Sequence, residues 1–340
     1  MERKRIIFPE VNRAELITEN ISDTLAPNSV MVKTAISTVS PGTERANITG
    51  NENVAGRAAP SVKFPRYPGY SSAGVVCAVG SAVQSVKVGD RVIVYWGSHT
   101  NYNVVPEDRV VKITDERITF PIAATIFIST FPMAAIRKTR LEFGESCMVM
   151  GLGLLGQFAV RYARAAGATP VIAVDPVESR RLDALAGGAD YALDPFAPNF
   201  AQTVKDITEG GVNAAIEVTG QGAGLDETLD CMANFGRIAL LGCTRNPNFT
   251  IDYYRKIHCP GITLIGAHTN ARPERESHPG YFTHRDDIKA AMKLCASGRV
   301  DISAMTGHFH APEEAPEVYQ ALIHDKNFPM AVQFDWSLLK

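Results

Sequence analysis

Apolar residues in the first third of the chain stand in short runs that end at Gly, Pro or Asp. Residues 29–36, 73–79 and 90–95 are such runs, and each is rich in β-branched side chains. Runs of this length and spacing predict a barrel or sandwich of short strands. We therefore expect residues 1 to about 115 to be all-β. Residues 50–66 show no period and hold several Gly, Ala and Pro residues, which predicts a loop or the flank of an active site.

Between about 120 and 268 the pattern changes, and apolar strand-like runs alternate with segments of helical period. Strands separated by helices predict a parallel sheet with right-handed crossovers. The sequence beyond this region holds only two short strand candidates, near His308 and at 331–334. Two strands cannot form a sheet domain of their own, so we expect them to return to the N-terminal β region.

The length of 340 residues exceeds what one hydrophobic core usually holds, so two domains are expected. The change of pattern assigns residues 1–125 and 270–340 to a β-rich domain. Residues 126–269 are assigned to a doubly wound parallel-sheet domain. The predicted fold class is therefore α/β.

The most informative local motif is a glycine turn at 149–156, where three glycines stand at the spacing G-x-G-x-x-G between an apolar run and a helical segment. The first glycine allows a tight turn and the second lets the backbone approach a pyrophosphate. The third lets helix and strand pack closely, with the phosphates at the helix N-terminus. The alternative is a purely structural turn. The predicted cofactor contacts of the turn are Gly151, Gly153, Leu154, Leu155 and Gly156.

A second apolar strand, at 170–174, ends in Asp175, 19 residues after Gly156. A carboxylate at this place can accept hydrogen bonds from both hydroxyls of an adenosine ribose, and it repels a 2′-phosphate. The sequence therefore predicts NAD(H) as the cofactor rather than NADP(H). Arg180 could stack on the adenine or pair with Asp175, and beside that acid it does not argue for NADP.

Charge and cysteine usage narrow the class of protein. A net charge of −2 gives no electrostatic argument for nucleic acid or an anionic membrane surface. The six cysteines are scattered without a C-x-x-C pair, most of them in apolar runs. They are expected to be small buried hydrophobes in a reducing compartment. The apolar run after the N-terminus is too short for a signal peptide.

One uncharged segment approaches the length of a membrane span. Residues 118–136 are 19 residues without a charge, but they include Pro121 and Pro132. We interpret the segment as a buried connection between the domains. The protein is accordingly expected to be soluble and cytoplasmic, with a small-molecule substrate and no nucleic acid or membrane partner.

Two stretches of the β-rich region carry a family resemblance. Gly69-Tyr-Ser-Ser-Ala-Gly-Val-Val76 and Lys87-Val-Gly-Asp-Arg-Val92, followed late in the chain by the glycine turn, resemble the medium-chain dehydrogenase/reductase superfamily of zinc alcohol and polyol dehydrogenases. The resemblance extends over nearly the whole chain. It implies a GroES-like β-barrel catalytic domain, divided in sequence around a Rossmann dinucleotide-binding domain, with the active site between them. It also implies a homodimer or homotetramer.

The positions that would hold zinc depart from the family pattern. The family's Cys-Gly-Ser/Thr-Asp-x-His reads Pro41-Gly-Thr-Glu-Arg-Ala46 here, and its Gly-His-Glu reads Gly69-Tyr70-Ser71. The later ligand falls near Phe127, and the four cysteines of a structural zinc site are absent from 91–112. Zinc needs three or four N, S or O donors at tetrahedral reach. The resemblance therefore implies a member that works without zinc.

Without a metal, a side chain must donate to the reacting oxygen or take its proton. Tyr70 offers a phenol, Thr43 matches the family's Ser/Thr proton-relay position, and Ser40 lies beside the lost ligand. His99 falls on a segment that borders the substrate pocket in relatives, and histidine titrates near neutral pH. Each has a structural alternative: Tyr70 as filler of the metal's space, Ser40 and Thr43 as turn caps, His99 as a loop residue. Glu44 is expected to support the loop.

The resemblance also implies which residues hold the nicotinamide half of the cofactor. Two of them end later strands of the parallel sheet, and one follows the last strand, at the carboxyl edge where α/β folds bind ligands. These residues are Thr130, Thr219, Gly242 and His268.

The sequence thus predicts a zinc-independent, NAD-dependent oxidoreductase that transfers a hydride between the cofactor and a secondary alcohol or ketone. The stretch 40–44, Ser-Pro-Gly-Thr-Glu, is most similar to a sugar- and polyol-dehydrogenase-like branch, so a sugar- or polyol-like substrate is expected. One alternative is an NAD(P)H-dependent reductase of enone or quinone C=C bonds. Another is a catalytically inactive dinucleotide-binding sensor or structural protein.

Overall fold

The computed structural model describes residues 1–52, 54 and 62–340. The strands in them are β1 (Glu2–Ile7), β2 (Glu15–Asn20), β3 (Ser29–Thr38), β4 (Ser71–Val79), β5 (Arg91–Tyr95), β6 (Tyr102–Pro106), β7 (Val110–Lys112), β8 (Cys147–Met150), β9 (Val171–Val174), β10 (Tyr191–Leu193), β11 (Val212–Glu217), β12 (Met232–Leu240), β13 (Thr263–Gly266), β14 (Phe309–His310) and β15 (Gln333–Asp335). The α-helices are α1 (Pro41–Ile48), α2 (Phe120–Thr139), α3 (Leu154–Ala165), α4 (Glu178–Ala186), α5 (Phe200–Ile207), α6 (Gly222–Asp230), α7 (His284–Ala296) and α8 (Ala315–His324). Residues 53 and 55–61, in the middle of the segment expected to be a loop, lie outside the described residues.

Spatial contacts divide the chain into two compact units. Unit 1 comprises Met1–Ile128, Ile288–Ala296 and Ile302–Lys340, and unit 2 comprises Ser129–Asp287 and Ser297–Asp301. The units are defined by spatial contacts and do not test the domain bounds predicted from the sequence, which stay a prediction.

Unit 1 is built on a seven-stranded sheet in the order β14-β15-β3-β4-β5-β7, with β6 paired to β3. Strand β3 pairs antiparallel with β4, β6 and β15, and its ten residues are mostly buried. The pairing of β15 with β3 brings the C-terminal strands back to the N-terminal β region, as predicted. Apart from the parallel pair β14–β15 the sheet is antiparallel, as the predicted GroES-like β-barrel domain requires.

One element of this region differs from the all-β expectation. Helix α1 begins at Pro41, a residue whose fixed φ suits the first helical position. Its inner face buries Glu44, Ala46 and Ile48. With only eight residues and one buried position being a carboxylate, the segment shows too little apolar period to be recognised as a helix from sequence.

Unit 2 contains a six-stranded parallel sheet in the order β10-β9-β8-β11-β12-β13. The chain order along it is the doubly wound order of a Rossmann fold, which confirms the predicted fold class. The apolar faces of the strands and of α5 and α6 meet in one core, which includes Met148, Ile172, Val204, Leu229 and Ile238. The carboxyl ends of β8 and β11, the two central strands, lie side by side with Met150 opposite Glu217.

Helix α2 covers most of the uncharged segment that the sequence predicts to be a buried connection. Within the described residues it is the one helix long and apolar enough to cross a membrane, and 78% of its most apolar window is buried inside the protein. Such burial is what a core helix shows, and membrane crossing has weak support.

The cysteines are only partly as expected. Cys147 and Cys231 are buried, whereas Cys77, Cys243 and Cys259 are exposed. Cys77 shows why: it lies on β4, and a strand turns alternate side chains to opposite faces, so an apolar run does not bury every member.

Candidate active site and cofactor turn

The glycine turn joins β8 to α3 in unit 2, and each glycine meets a different constraint. Gly151 has φ +96°, a left-handed conformation that favours glycine. A Cβ on Gly156 would lie 1.9 Å from the carbonyl oxygen of Gly151, so the helix approaches the turn too closely for any side chain. A Cβ on Gly153 would meet nothing within 4 Å. Space beside Gly153, at the N-cap of α3, is what a pyrophosphate on the backbone N–H groups of Leu154 and Leu155 would need.

Asp175 lies at the end of β9 and reaches across to this turn. Its carboxylate accepts hydrogen bonds from the N–H of Leu152 at 2.8 Å and of Val177 at 2.9 Å. Each carboxylate oxygen keeps a further acceptor site, so ribose hydroxyls could still be bound. Arg180 pairs with Asp175, its Nη1 lying 3.7 Å from Oδ2. The side chain expected to read the ribose is therefore held beside the turn.

The ends of β11 and β12 lie next to the glycine turn through Thr219. A Cβ on Gly151 would meet the Cγ2 of Thr219 at 2.9 Å. A Cβ on Gly242 would lie 2.3 Å from the backbone nitrogen of Gly220, so the two strand ends are packed backbone to backbone. The predicted residues Thr219 and Gly242 are thus brought to the carboxyl edge of the sheet.

Sequence reasoning missed Glu217, which shapes this edge. Its buried carboxylate accepts hydrogen bonds from the N–H of Thr219 at 2.8 Å, from the Thr219 hydroxyl and from the N–H of Gly220 at 3.2 Å. Burial raises the pKa of the Glu217 carboxyl, and the donated hydrogen bonds oppose that rise. Its position, as an acidic residue at the end of the mostly apolar strand β11, is the sequence feature that could have identified it.

Thr130 and His268 belong to the same unit but have different surroundings. Thr130 is fully buried in α2, and its carbonyl oxygen accepts a hydrogen bond from Arg272 at 3.4 Å. His268 is exposed after β13, and its Nδ1 accepts a hydrogen bond from the N–H of Asn270 at 3.2 Å. Their predicted contacts with nicotinamide remain predictions.

Unit 1 holds a pocket of about 260 Å³ whose walls include Thr43, Tyr70 and Trp96. We call it the Tyr70 pocket. The Tyr70 ring packs against Trp96, with ring centres 5.5 Å apart, and edge-on against Phe127 at 5.9 Å. Phe127 is fully buried, so an aromatic cluster fills the place where the family resemblance puts a zinc ligand.

Tyr70 and Ser40 form a hydroxyl pair. The Tyr70 hydroxyl donates to the Oγ of Ser40 at 2.7 Å. Ser40 occupies the N-cap position of α1, but its side chain makes no capping hydrogen bond, so the alternative of a turn cap does not describe it. The Ser40 side chain is buried, and its own hydroxyl proton has no acceptor among the described residues. The pair therefore has one donor to spare.

Thr43 and His99 have different places. Thr43 is half-buried on the pocket wall, and its carbonyl oxygen accepts a hydrogen bond from the side-chain amide of Asn47 at 2.9 Å. His99 is fully buried, with Nδ1 2.7 Å from the hydroxyl of Ser37 and Nε2 3.2 Å from the carboxylate of Glu44. His99 thus lies on the loop between β5 and β6, the structural alternative, but its fully buried ring packs in the core behind the pocket and is not presented to solvent.

The partners of His99 form a buried group that sequence reasoning did not find. Tyr319 donates its hydroxyl to Glu44 at 2.5 Å, and Trp336 donates its indole N–H to Ser37 at 2.9 Å. Burial, together with the nearby Glu44 carboxylate, raises the pKa of Tyr319 well above its ordinary value. We call Ser37, Glu44, His99 and Tyr319 the Glu44 cluster. No local sequence motif indicates it, because its members come from three distant segments: Ser37 and Glu44, His99, and Tyr319.

The side chains around the Tyr70 pocket do not fit a zinc ion. The positions that match the family's ligands hold Pro41, Ala46, Tyr70 and Phe127, of which only the phenol carries a polar atom. Across the described residues, no three His, Cys, Asp or Glu side chains lie close enough together to hold a metal. The chemistry proposed for this site therefore passes through no metal.

Two family models match the chain and together cover more than half of it. One is the alcohol dehydrogenase GroES-like domain over residues 26–115, and the other is the zinc-binding dehydrogenase over residues 155–301.

Known proteins resemble the chain over most of its length. It is 28% identical over 345 residues to L-threonine 3-dehydrogenase of Pyrococcus horikoshii, covering 91% of this chain and 92% of that protein. It is 24% identical over 290 residues to an alcohol dehydrogenase of Geobacillus stearothermophilus, covering 76% and 80%. A solved structure, a short chain alcohol dehydrogenase from Escherichia coli CFT073 complexed with NADH, shares the fold. Its TM-score is 0.83 at 18% identity, with 98% of this chain and 99% of that chain covered.

Proposed function

The chain belongs to the medium-chain dehydrogenase/reductase family, in its zinc-type alcohol dehydrogenase-like branch, and from this premise we propose how it works. Its relatives are dehydrogenases, and the protein is an oxidoreductase acting on alcohols. The proposed reaction is zinc-independent hydride transfer between NAD(H) and a secondary alcohol or ketone of sugar or polyol type. The hydroxyl pair of Ser40 and Tyr70 beside the Tyr70 pocket is the observation that carries this proposal.

The cofactor part of the proposal uses the residues of unit 2. The N–H groups at the start of α3 would bind the pyrophosphate, and Asp175 would accept from the adenosine ribose. A bound nicotinamide supplies the hydride acceptor or donor. The buried Asp175 disfavours a 2′-phosphate at the same place, which supports NAD rather than NADP.

The proton part uses the residues of unit 1. In reduction, the substrate oxygen gains negative charge as hydride arrives, and a donor aimed at that oxygen stabilises the charge. The spare O–H of Ser40 is such a donor, and the hydrogen bond from Tyr70 to Ser40 strengthens it because a hydroxyl that accepts becomes a better donor. In oxidation the alcohol proton passes to Ser40, the proton of Ser40 passes to Tyr70, and Tyr70, on the wall of the pocket, releases its own proton to solvent. Thr43, on the pocket wall, would contact the substrate's other hydroxyls.

The test measures turnover of L-threonine, sorbitol, galactitol and their ketones with NAD(H). Tyr70→Phe and Ser40→Ala are each expected to lower kcat by about 10²-fold, the size of a general acid–base contribution, while NADH affinity stays unchanged. Tyr102→Phe is the control, because Tyr102 lies on β6 and its hydroxyl has no hydrogen-bond partner among the described residues. Unchanged turnover in both variants would remove the pair from the mechanism.

Two measurements separate the proposal from its alternatives. NADH should bind at least about tenfold more tightly than NADPH in a fluorescence titration, and equal affinities would remove the argument from Asp175. Turnover of cyclohexenone or a quinone, with none of the alcohols, would establish a C=C reductase. Binding of NADH without turnover of either class would establish a sensor or structural protein.

Zinc independence has its own measurement. The aromatic packing of Tyr70, Trp96 and Phe127 supports it, because Tyr70 and Phe127 stand at ligand positions of the family and the three side chains supply no donor set. Metal analysis of the purified protein is expected to find much less than one zinc per chain. One full equivalent would overturn this part of the proposal.

The same proposal includes a homo-oligomer in the cytoplasm. The homo-oligomer is supported by large apolar side chains exposed on unit 2, with Phe235 77%, Tyr253 64% and Tyr254 62% exposed. Sedimentation velocity is expected to show a dimer or tetramer, and a monomer at micromolar concentration would contradict it.

A further inference from the structure

We propose that the Glu44 cluster is the device that positions the Ser40–Tyr70 pair, so that His99 and Tyr319 govern the reaction from behind the Tyr70 pocket, to whose wall Glu44 belongs. This inference rests on the proposed function of the pair. Ser40 and Tyr70 are 30 residues apart in sequence, and one hydrogen bond of 2.7 Å joins them. The geometry of such a pair is fixed only if the backbone at each of the two residues is fixed. The Glu44 cluster contacts the backbone at both Ser40 and Tyr70.

The first side is Ser40. Glu44 is 1% exposed, and its Oε1 accepts the backbone N–H of Ser40 at 3.0 Å. The N–H of Glu44 in turn donates to the carbonyl oxygen of Ser40 at 2.9 Å. Glu44 thus reaches back to the residue before the helix, as the acidic half of a capping box does, while the second bond is the first backbone hydrogen bond of α1. The Ser40 hydroxyl makes no capping hydrogen bond and accepts from Tyr70 instead.

The second side is the backbone before Tyr70. Gly69 has φ +84°, and a Cβ there would lie 2.4 Å from the backbone nitrogen of His99 and 2.6 Å from its ring. The N–H of His99 donates to the carbonyl oxygen of Pro68 at 3.0 Å. His99 is therefore pressed against the chain that carries Tyr70. The contact of its Nε2 with Glu44 at 3.2 Å links the second side to the first.

The directions of the hydrogen bonds make the cluster self-consistent. Trp336 can only donate to Ser37, and a carboxylate can only accept. Ser37 is then free to donate to Nδ1 of His99, and the Nε2–H tautomer of His99 donates to Glu44. Tyr319 adds a second donor to the same Oε2 at 2.5 Å. Every side-chain polar group in this series of hydrogen bonds has a partner. A buried polar network with all its groups paired adopts one rigid arrangement.

The cluster is not a path for protons. It leads inward from Ser40 and ends at Trp336, which is 6% exposed and whose indole N–H has no acceptor function. A proton passed into the cluster would have no exit to solvent. Its contribution to the reaction is therefore the position of the pair: Glu44 holds Ser40 from the pocket wall, and His99 and Tyr319 are positioning residues rather than catalytic ones.

The first test needs no substrate. The chain has ten tyrosines, so labelling tyrosine with ¹³C at Cζ gives ten NMR signals, of which Tyr70→Phe identifies one. Tyr319→Phe deletes a hydroxyl that does not contact Tyr70, yet the Tyr70 signal is expected to shift. Tyr162→Phe is the matched control, because it deletes another buried hydroxyl, 2.8 Å from Ser129 in unit 2. An unmoved Tyr70 signal in Tyr319→Phe would overturn the proposal.

The second test is a double-mutant cycle on whichever panel alcohol is turned over. Tyr319→Phe is expected to lower kcat about tenfold, with NADH affinity unchanged, and to have no further effect once Tyr70 is Phe. Glu44→Gln, which keeps the size of the side chain, should behave alike if Tyr319→Phe folds poorly. Additive effects of Tyr319→Phe and Tyr70→Phe would show a merely structural residue and overturn the inference.

The two proposals fail in different ways. If Tyr70→Phe keeps full turnover, the proposed function of the pair falls, and this inference falls with it. If Tyr70→Phe loses turnover while Tyr319→Phe does not, the proposed function stands and the positioning role is wrong.

Discussion

The glycine turn and the Tyr70 pocket are built in opposite ways. The turn, with Asp175, is complete within one strand–helix–strand segment, and its constraints are those of backbone against backbone. The pocket depends on side chains from segments as distant as Ser37 and Trp336, joined by hydrogen bonds in the core. The cofactor turn is therefore formed by residues close together in sequence, whereas the Tyr70 pocket depends on contacts across the whole of its domain.

The largest expected effect breaks the glycine turn. Gly156→Ala places a methyl group 1.9 Å from the Gly151 carbonyl oxygen, so the helix must move away from the strand. We expect unit 2 to lose about 3 kcal/mol or more and NADH binding to vanish. Urea unfolding and NADH fluorescence measure the two losses.

Gly153→Ala is the control that separates fold from binding at the same turn. Its Cβ meets nothing within 4 Å, so stability is expected to stay within about 0.5 kcal/mol of wild type. NADH binding should still fall about tenfold or more, because the methyl group projects into the space proposed for the pyrophosphate. Normal NADH affinity in Gly153→Ala would show that the cofactor lies elsewhere.

The next effect breaks the Tyr70 pocket by the same kind of change. Gly69→Ala combines a left-handed φ of +84° with a contact of 2.4 Å to the His99 nitrogen. We expect the free energy of unfolding of unit 1 to fall by about 3 kcal/mol. Turnover should be lost as well, while NADH affinity is unchanged. Both tryptophans, Trp96 and Trp336, lie in unit 1, so their fluorescence during urea unfolding reports on it.

Gly89→Ala is matched to Gly69→Ala in backbone conformation but not in surroundings. Gly89 has φ +90°, and a Cβ there would meet nothing within 4 Å, so only the conformational cost remains, about 1 kcal/mol. Equal losses in the two variants would mean that the approach of His99 to Gly69 does not matter.

The smallest of the three main effects, after those of Gly156→Ala and Gly69→Ala, concerns a histidine in each unit. His99 in unit 1 has a hydrogen-bond partner at each ring nitrogen, whereas His284 in unit 2 lies near the guanidinium of Arg272. Burial, and then Arg272, lower the pKa of His284 to about 3 from 6.5. The unfolded chain therefore binds the extra proton first, and folding stability falls as the pH drops below about 6.5.

Between pH 7 and pH 5 this linkage is expected to cost about 2 kcal/mol of stability. Urea unfolding followed by circular dichroism at the two pH values measures it. His284→Gln removes the titrating group and should flatten the difference by that amount. An identical pH dependence in wild type and His284→Gln would show that His284 is not the source.

Much of the fold could be predicted from the sequence. Alternation of apolar runs with helical segments predicted the parallel sheet, because strands and helices bury faces at different periods. The glycine turn and Asp175 were readable for the same reason, since their constraints act between near neighbours in the chain. Helix α1 was missed because its buried face includes the carboxylate of Glu44, and a buried carboxylate can be recognised only once its partners are known.

The contacts around the Tyr70 pocket, in contrast, follow only from the folded structure. The family resemblance, together with the chemistry of the side chains, named Ser40, Thr43, Tyr70 and His99 as candidates, without showing which of them contact one another. The structure pairs Ser40 with Tyr70, leaves Thr43 on the wall and places His99 in the core beside Tyr319. Hydrogen bonds between side chains need atoms within about 3 Å, and no spacing in sequence encodes that distance between segments hundreds of residues apart.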